Sequence, residues 1–239
     1  MNALLLAAGY GKRLLPLTLE TPKCLIKINQ IPLLDYWINH LINDLGFKRI
    51  FINTHYLKNK VKNFILNHKY SRSISILEEK VLRDTAGTIM DFVSFNQEEF
   101  LIAHADNLLT QSLKPFIQQA LKSENNFLSV LCVKKKEIQK FGIFTIDKNN
   151  QIINFEEKPQ KSISNIANGA IYYAKENFIK YCLKNPISGN FSKDVLTKIY
   201  KKVEIYNFLG QIYDIGTIDE LTKIQKLIKH KKIIPWEIV

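Results

Sequence analysis

Over its first hundred residues the chain alternates short apolar runs, rich in β-branched residues, with longer stretches whose apolar positions recur at helical period. Stacked βαβ units around a mostly parallel sheet require that alternation, and few other architectures tolerate it. The pattern predicts strands over 3–8, 49–55 ("RIFINTH"), 73–77 ("SISIL") and 99–106 ("EFLIAHAD"). Between them it predicts helices over 32–46, stopped by Gly46, over 56–69 and over 85–95. This part reads as a Rossmann-like, doubly wound α/β fold.

After a further helix in "LKPFIQQALKSEN" the text changes character. "FLSVLCVKKK", "KFGIFTIDKNNQIINFEEK" and "NIANGAIYYA" are strand-like, with a turn expected at Asp147-Lys148-Asn149-Asn150. This is expected to be a hairpin-bearing insertion on the same mixed sheet, since no Pro-, Gly- or Ser-rich linker sets it apart. "FSKDVLTKIYKK", two further strand-like pieces and a terminal helix over 218–231 complete the chain. The expected organisation is one domain over 1–239: a half over 1–110, a second half over 111–217, and a helix and tail over 218–239.

Composition bounds the function. With 46% hydrophobic residues, 239 residues can bury a substantial core. The first apolar segment is too short for a signal peptide, and no run approaches the roughly 20 apolar residues of a membrane helix, so a soluble, cytoplasmic protein without membrane attachment is expected. Cys24, Cys132 and Cys182 are odd in number and widely spaced, the pattern of packed, reduced thiols. The net charge of +12 raises the question of nucleic acid. Its lysines, however, are scattered over helix surfaces without a recognition motif, so no nucleic acid is expected, and the charge serves to attract small anions.

The stretch "LLLAAGYGKRLLPLTLETPKCL" ends an apolar strand in a glycine-bearing turn followed by cations. It has neither P-loop spacing nor the dinucleotide G-x-G-x-x-G, whose third glycine position is Leu14. Gly9 and Gly11 let the backbone approach a triphosphate and offer N–H donors, while Lys12, Arg13 and Lys23 neutralise its charge. A plain strand-to-helix turn is the competing account. "FLIAHADN" and "IYDIGT" end apolar runs in Asp106 and Asp214, where open α/β sheets place their ligands. Mg²⁺ needs only one or two protein carboxylates when phosphate oxygens and water complete its shell, although each Asp alone also suits a turn. His104, two residues before Asp106, is a packed histidine or, alternatively, part of a His-x-Asp site.

"LLAAGYGKRLLPLTLETPKCL" resembles the G-x-G-x-R…P-K-x-L signature of the sugar-1-phosphate nucleotidylyltransferases, and the resemblance extends over about residues 3 to 217. It implies that Arg13 binds the leaving pyrophosphate and Lys23 the nucleotide phosphate. "DTAGTI" resembles the family's L-G-T-A-G segment on the nucleotide base, with Arg83-Asp84 where Leu-Gly is usual. The implied nucleotide side comprises Ala8, Gly9, Gly11, Lys12, Arg13, Lys23, Glu79, Thr85, Ala86 and Gly87. "NFEEKP" resembles E-E-K-P, implying that Glu157 binds sugar hydroxyls and Lys158 the sugar phosphate. Asn107, Gly142, Asn168 and Gly169 complete the implied sugar side, and the family's Mg²⁺ pair falls on Asp106 and Asp214. The implied catalytic set is Arg13, Lys23, Asp106, Lys158 and Asp214.

No Ser-His-Asp or Cys-His constellation stands out, which points to direct displacement rather than a covalent intermediate. The implied reaction joins a nucleoside triphosphate to a sugar 1-phosphate in nucleotide-sugar and polysaccharide biosynthesis, by a monomer or homodimer. "AHADN" and "NIANGAIYY" look most like members that use GTP with mannose- or heptose-type 1-phosphates. Guanine's paired donors would then need an acceptor, available from Glu78, Glu79 or Asp84. Alternatives are a cytidylyl- or uridylyltransferase acting on a phosphocholine-like substrate, and a non-catalytic nucleotide-sugar binding module.

Overall fold

The computed structural model describes residues 1–230 and resolves two compact units. One contains Met1–Leu82, Ala103–Lys114 and the described residues from Gly210 to His230; the other contains Arg83–Ile102 and Pro115–Leu209.

In the first unit the strands Asn2–Leu6, Arg49–Thr54 and Ile74–Glu78 pair in parallel, with Leu4 opposite Phe51 and Ile50 opposite Ile74. Ala3, Leu4, Leu5, Ile50 and Ile52 are wholly buried, which is why the first two strands carry continuous apolar runs, whereas Ile74–Glu78, at the sheet edge, leaves Ser75 exposed and alternates. The Ala105 N–H donates to Leu6 O at 3.1 Å, setting the end of the strand Phe100–His104 beside the first.

The helix Leu33–Asn39 continues as a π-helical turn over His40–Asp44 and stops at Gly46, whose φ of 68° is the left-handed conformation that glycine adopts without strain. The helix Lys58–Leu66 buries Val61 and Ile65. It begins two residues later than the sequence predicts, because Leu57 is left-handed at φ 47°.

The helix Ile218–Lys229 is N-capped by Thr217, whose Oγ1 accepts from Glu220 N–H at 3.2 Å. Residue 231 of the expected terminal helix and the tail beyond it lie outside the described residues. Leu221 and Ile224 of this helix pack with Leu14, Ile26, Ile28, Leu33, Tyr36, Leu108 and Ile215. That cluster braces the segments carrying Arg13, Lys23, Asp106 and Asp214, and each wholly buried aliphatic side chain contributes about 1.5–3 kcal/mol.

In the second unit the strand Leu128–Lys134 pairs in parallel with Val203–Asn207 and antiparallel with Ile166–Ala174. The expected hairpin forms from Gly142–Ile146 and Ile152–Glu157. Its turn is held by Asp147 Oδ1, which accepts from the N–H groups of Asn149 (2.8 Å) and Gln151 (2.9 Å), with Asn150 left-handed at φ 61°.

The helices Asp84–Phe95 and Glu176–Lys184 both belong to this unit. The sequence reading did not anticipate the second, although Phe178, Ile179 and Cys182 give it a buried face. Cys24, Cys132 and Cys182 are free and buried, as expected. Among the described residues no helix is long and apolar enough to cross a membrane. The strands and helices together make an α/β fold with a mixed central sheet.

Candidate active site

Asp106 and Asp214 meet through strand register. The short strands Asn107–Leu109 and Ile212–Asp214 pair antiparallel with Asp214 opposite Asn107, and the Ile215 N–H donates to Asp106 O at 3.1 Å. Asp106 itself occupies the turn just after the strand Phe100–His104 rather than the strand end.

The Lys23 ammonium bridges the two carboxylates, donating to Asp106 Oδ2 and, at 3.4 Å, to Asp214 Oδ1. Arg13 Nη2 stands 4.0 Å from Asp214 Oδ2 on a side chain that is 68% exposed. Two cations thus face two anions.

The electrostatics distinguish two aspartates that look alike in sequence. Burial favours neutral Asp106, but the Lys23 charge and hydrogen bond, with a smaller contribution from His104, outweigh it and hold the carboxyl below its ordinary value. Asp214 is raised, by burial and then by the Asp106 charge, against the weaker pull of Lys23 and Arg13. For Lys23, burial lowers the ammonium pKa, yet the two carboxylates together hold it above its usual value.

This donor set fits Mg²⁺. Two hard carboxylates already converge on one cation, the number Mg²⁺ needs when phosphate oxygens and water supply the rest. Among the described residues no group of three or more His, Cys, Asp or Glu forms a complete cage.

The glycine loop is built for close approach. Gly11 is left-handed at φ 63°, and a Cβ there would lie 2.8 Å from Thr18 Cγ2. The same residue's carbonyl accepts from Leu14 N–H (2.8 Å) and Thr18 Oγ1 (3.0 Å). A Cβ on Gly9 would meet nothing within 4 Å, so that stretch of backbone is open. Ala8 is buried, and its carbonyl accepts from Tyr56 N–H, while Lys12 Nζ lies over the Tyr10 ring at 5.5 Å.

A second glycine, Gly216, was not singled out by the sequence. A Cβ there would sit 3.0 Å from both Arg13 Nη2 and Asp214 Oδ2 and 3.1 Å from Glu220 Oε2, so its hydrogen lets Arg13 and Asp214 come together.

Of the three acids considered for the base, Glu78 is engaged by Lys58 at 2.5 Å, and Asp84, left-handed at φ 56°, accepts from Thr85 N–H with its own side chain. Glu79 is buried at the end of the strand Ile74–Glu78, and its Oε1 accepts from Asn53 Nδ2 at 2.9 Å. Asn107 is also buried, and its carbonyl accepts from Trp37 Nε1.

In the second unit, Thr85, Ala86 and Gly87 form the first turn of the helix Asp84–Phe95. Thr85 Oγ1 accepts from Phe191 N–H at 2.7 Å, and Ala86 N–H donates to Gly189 O at 2.8 Å. Gly87 has only Arg83 within reach of a Cβ.

The same unit gathers Glu157, Asn168, Gly142 and Lys158. Glu157 Oε2 accepts from Ser192 Oγ at 2.5 Å, and Asn168 Nδ2 donates to Tyr172 Oη at 2.7 Å and to Ser192 Oγ at 3.3 Å. Burial lifts the Tyr172 phenol well above its ordinary value, so it stays neutral. Nothing in the sequence tied Ser192 or Tyr172 to Glu157. Gly142 lies opposite Glu157 in the hairpin, and a Cβ on it would be 2.4 Å from Phe155 Cζ and 2.8 Å from Glu157 Oε2.

The left-handed residue of "NIANGAIYY" is Ala170 (φ 55°), not Gly169. It sits in the register shift between Asn168 and Tyr172, and its N–H is held by Asn168 Oδ1. Lys158 is left-handed too, at φ 51°. Its N–H donates to Phe141 O, and its exposed ammonium lies 3.9 Å from Glu157 Oε1. A non-glycine residue held there has its side-chain direction fixed by the surrounding hairpin.

A mixed α/β sheet carrying a glycine loop, an adjoining arginine and a lysine-bridged carboxylate pair has the makings of a phosphate-handling enzyme, and the profile of the nucleotidyl transferase family matches residues 2–231. The chain belongs to that family, and it is a nucleotidyltransferase of nucleotide-sugar biosynthesis. It is 28% identical over 233 residues to a D-glycero-α-D-manno-heptose 1-phosphate guanylyltransferase of Aneurinibacillus thermoaerophilus, covering 96% of this chain and 99% of that protein. It is 29% identical to a glucose-1-phosphate adenylyltransferase of Fervidobacterium nodosum over 90% of this chain, and spans 58% of that longer protein. The fold matches a Bacillus anthracis structure described as a candidate glucose-1-phosphate thymidylyltransferase, with a TM-score of 0.82, 20% identity and 95% of each chain covered.

Proposed function

We propose that this sugar-1-phosphate nucleotidylyltransferase transfers a guanylyl group from GTP to a mannose- or heptose-type sugar 1-phosphate, releasing pyrophosphate, with Mg²⁺ as its cofactor. The observation that carries the reading is the Lys23-bridged pair Asp106 and Asp214 beside the glycine loop and Arg13. Asp106 and Asp214 would hold Mg²⁺, which when bound neutralises phosphate oxygens.

The chain's own groups then have separate tasks. Open backbone at Gly9 and the exposed Arg13 guanidinium receive the β- and γ-phosphates, and Arg13 stabilises the departing pyrophosphate. Lys23 has two carboxylate partners and a held-up pKa, so it stays charged and serves the α-phosphate. A sugar 1-phosphate oxygen attacks the α-phosphorus as the bond to the β-phosphate oxygen breaks, and the geometry of the two reactants supplies much of the acceleration.

Lys158 binds the sugar phosphate. Glu157, oriented by Ser192, accepts from sugar hydroxyls, and the buried Asn168 and Tyr172 keep that arrangement fixed. Glu79 accepts from guanine N1–H and the N2 amine, for which uracil and thymine offer no equivalent pair of donors.

A matrix of GTP, ATP, UTP and CTP against several sugar 1-phosphates, read by pyrophosphate release, tests the reading. GTP with a mannose- or heptose-type 1-phosphate is expected to give the highest kcat/KM. A preference for another nucleotide refutes the guanylyl assignment.

A further inference from the structure

We propose that Asn53 and His55 are positioning residues that set the enzyme's choice of nucleotide base by clamping Glu79 to the glycine loop. The inference rests on Glu79 being the base-reading acid of the reading above.

Asn53 ends a run of apolar strand residues, where a buried amide is costly unless every polar atom is used. Its Oδ1 accepts from Ala7 N–H at 2.6 Å, and its Nδ2 donates to Glu79 Oε1 at 2.9 Å. Because Ala7 N–H can only donate, the amide orientation is fixed, and so is the oxygen of Glu79 that it grips.

His55 lies two residues on and repeats the arrangement. Its Nδ1 is 2.9 Å from Glu79 O, and its Nε2 is 3.2 Å from Tyr10 Oη. A carbonyl can only accept, so Nδ1 donates to Glu79 O, and Nε2 shares the second hydrogen bond with the tyrosine hydroxyl. The Tyr10 ring packs edge-on to His55 and against Tyr56, whose hydroxyl donates to Thr18 O at 2.7 Å.

Each residue therefore has one polar atom on Glu79 and one on the loop that carries the phosphate-binding glycines. The base acid and the triphosphate loop are held at a set spacing by two parallel bridges. A nucleotide gains from both contacts only if its base presents donors at that spacing.

Asn53→Asp is the sharpest test. It is isosteric and keeps the acceptor for Ala7, but it sets a carboxylate oxygen where Glu79 now receives a donor. His55→Phe keeps a ring and removes the second bridge, and Tyr10→Phe removes its outer bond alone. Dissociation constants for GTP, ATP, UTP and CTP are measured by calorimetry, with kcat and KM for each nucleotide at a saturating sugar 1-phosphate.

Asn53→Asp and His55→Phe are expected to narrow the ratio between the preferred and second nucleotide about tenfold, through weaker binding of the preferred one. Asn53→Asp combined with Glu79→Gln should narrow it no further than Glu79→Gln alone, because both act through one carboxylate. An equal loss for all four nucleotides, or effects that multiply in the double variant, overturns the proposal.

If the wild-type enzyme prefers a nucleotide other than GTP, the guanylyl reading fails by itself. The clamp is then judged by whether Asn53→Asp and Glu79→Gln still shift the ranking together. Should Asn53→Asp not fold, His55→Phe and Tyr10→Phe decide the matter by the same ratios.

Discussion

Lys23→Met removes the charge that, among the described residues, both Asp106 and Asp214 are bonded to, while keeping a side chain of similar length. Breaking one side of a buried ion pair costs about 3–5 kcal/mol, because the partner's charge is left uncompensated. Here Asp214 is 41% exposed and water screens its share, which places the cost at the lower end, about 3 kcal/mol. For a chain of this length that is a fall in Tm of about 6–12 °C. In the wild type, Asp106 is held below its ordinary pKa, so its contribution to stability is present above the unfolded-state value and is lost as pH falls through the folded one. Without Lys23 that contribution disappears, so the gap in Tm between wild type and variant should hold from pH 7 to pH 5 and narrow as pH falls below about 4, the ordinary aspartate value. Millimolar Mg²⁺ without nucleotide should raise the Tm of the variant more than that of the wild type, since the cation then takes the ammonium's place. Thermal scans across this pH range, with and without Mg²⁺, read all three effects. A Tm within about 2 °C of wild type, or a gap indifferent to pH, would show that Lys23 does not hold the carboxylates together.

Asp106→Asn and Asp214→Asn should each lower kcat on the order of 100-fold, yet differ in stability at neutral pH: the first loses a favourably placed charge and melts lower, the second relieves a disfavoured one and does not. Near-normal turnover of either variant, or equal changes in Tm, would contradict the assignment. Arg13→Ala should chiefly impair use of the nucleoside triphosphate and Lys158→Ala use of the sugar phosphate, each by about 2–4 kcal/mol of transition-state binding. Titrating each substrate against each variant checks this, and losses falling on the same substrate would refute the layout. Gly142→Ala forces a methyl into Phe155 and Glu157, so it should cost about 1–3 kcal/mol and raise KM for the sugar phosphate; unchanged melting and KM would show that the close approach is not needed.

Local chemistry made much of the molecule legible in its sequence. Parallel strands covered on both faces must be apolar, so the runs 3–8 and 50–52 declared themselves, while the edge run 73–77 showed in its alternation of serine and isoleucine, and the strands form within a residue or two of the expected limits. Gly46 announced the end of its helix because a left-handed residue is needed there, and Asp147 announced the hairpin turn because its side chain can take two backbone N–H groups. The glycine loop with Arg13 and Lys23 was readable for the same reason: its parts lie in one short stretch of sequence, Gly9 to Lys23. The helix Glu176–Lys184 was missed although its apolar spacing was present, because it follows a buried strand with only Lys175 between them.

What the sequence left open depends on groups far apart in the chain. Two aspartates of equal promise became one lowered and one raised only when strand register set Asp214 opposite Asn107 and Lys23 reached both. Asn168 and Gly169 were placed together on the implied sugar side, whereas packing assigned the left-handed conformation to Ala170 and the partners of Asn168 to Tyr172 and Ser192. The hydrogen bonds of Asn53 and His55 to Glu79 had no counterpart in the sequence, where 49–55 read only as a strand. Backbone conformation and burial periodicity are set by neighbours in sequence, so the sequence determined them. Charge pairing and hydrogen-bond partners are set by neighbours in space, and only the tertiary structure decided those.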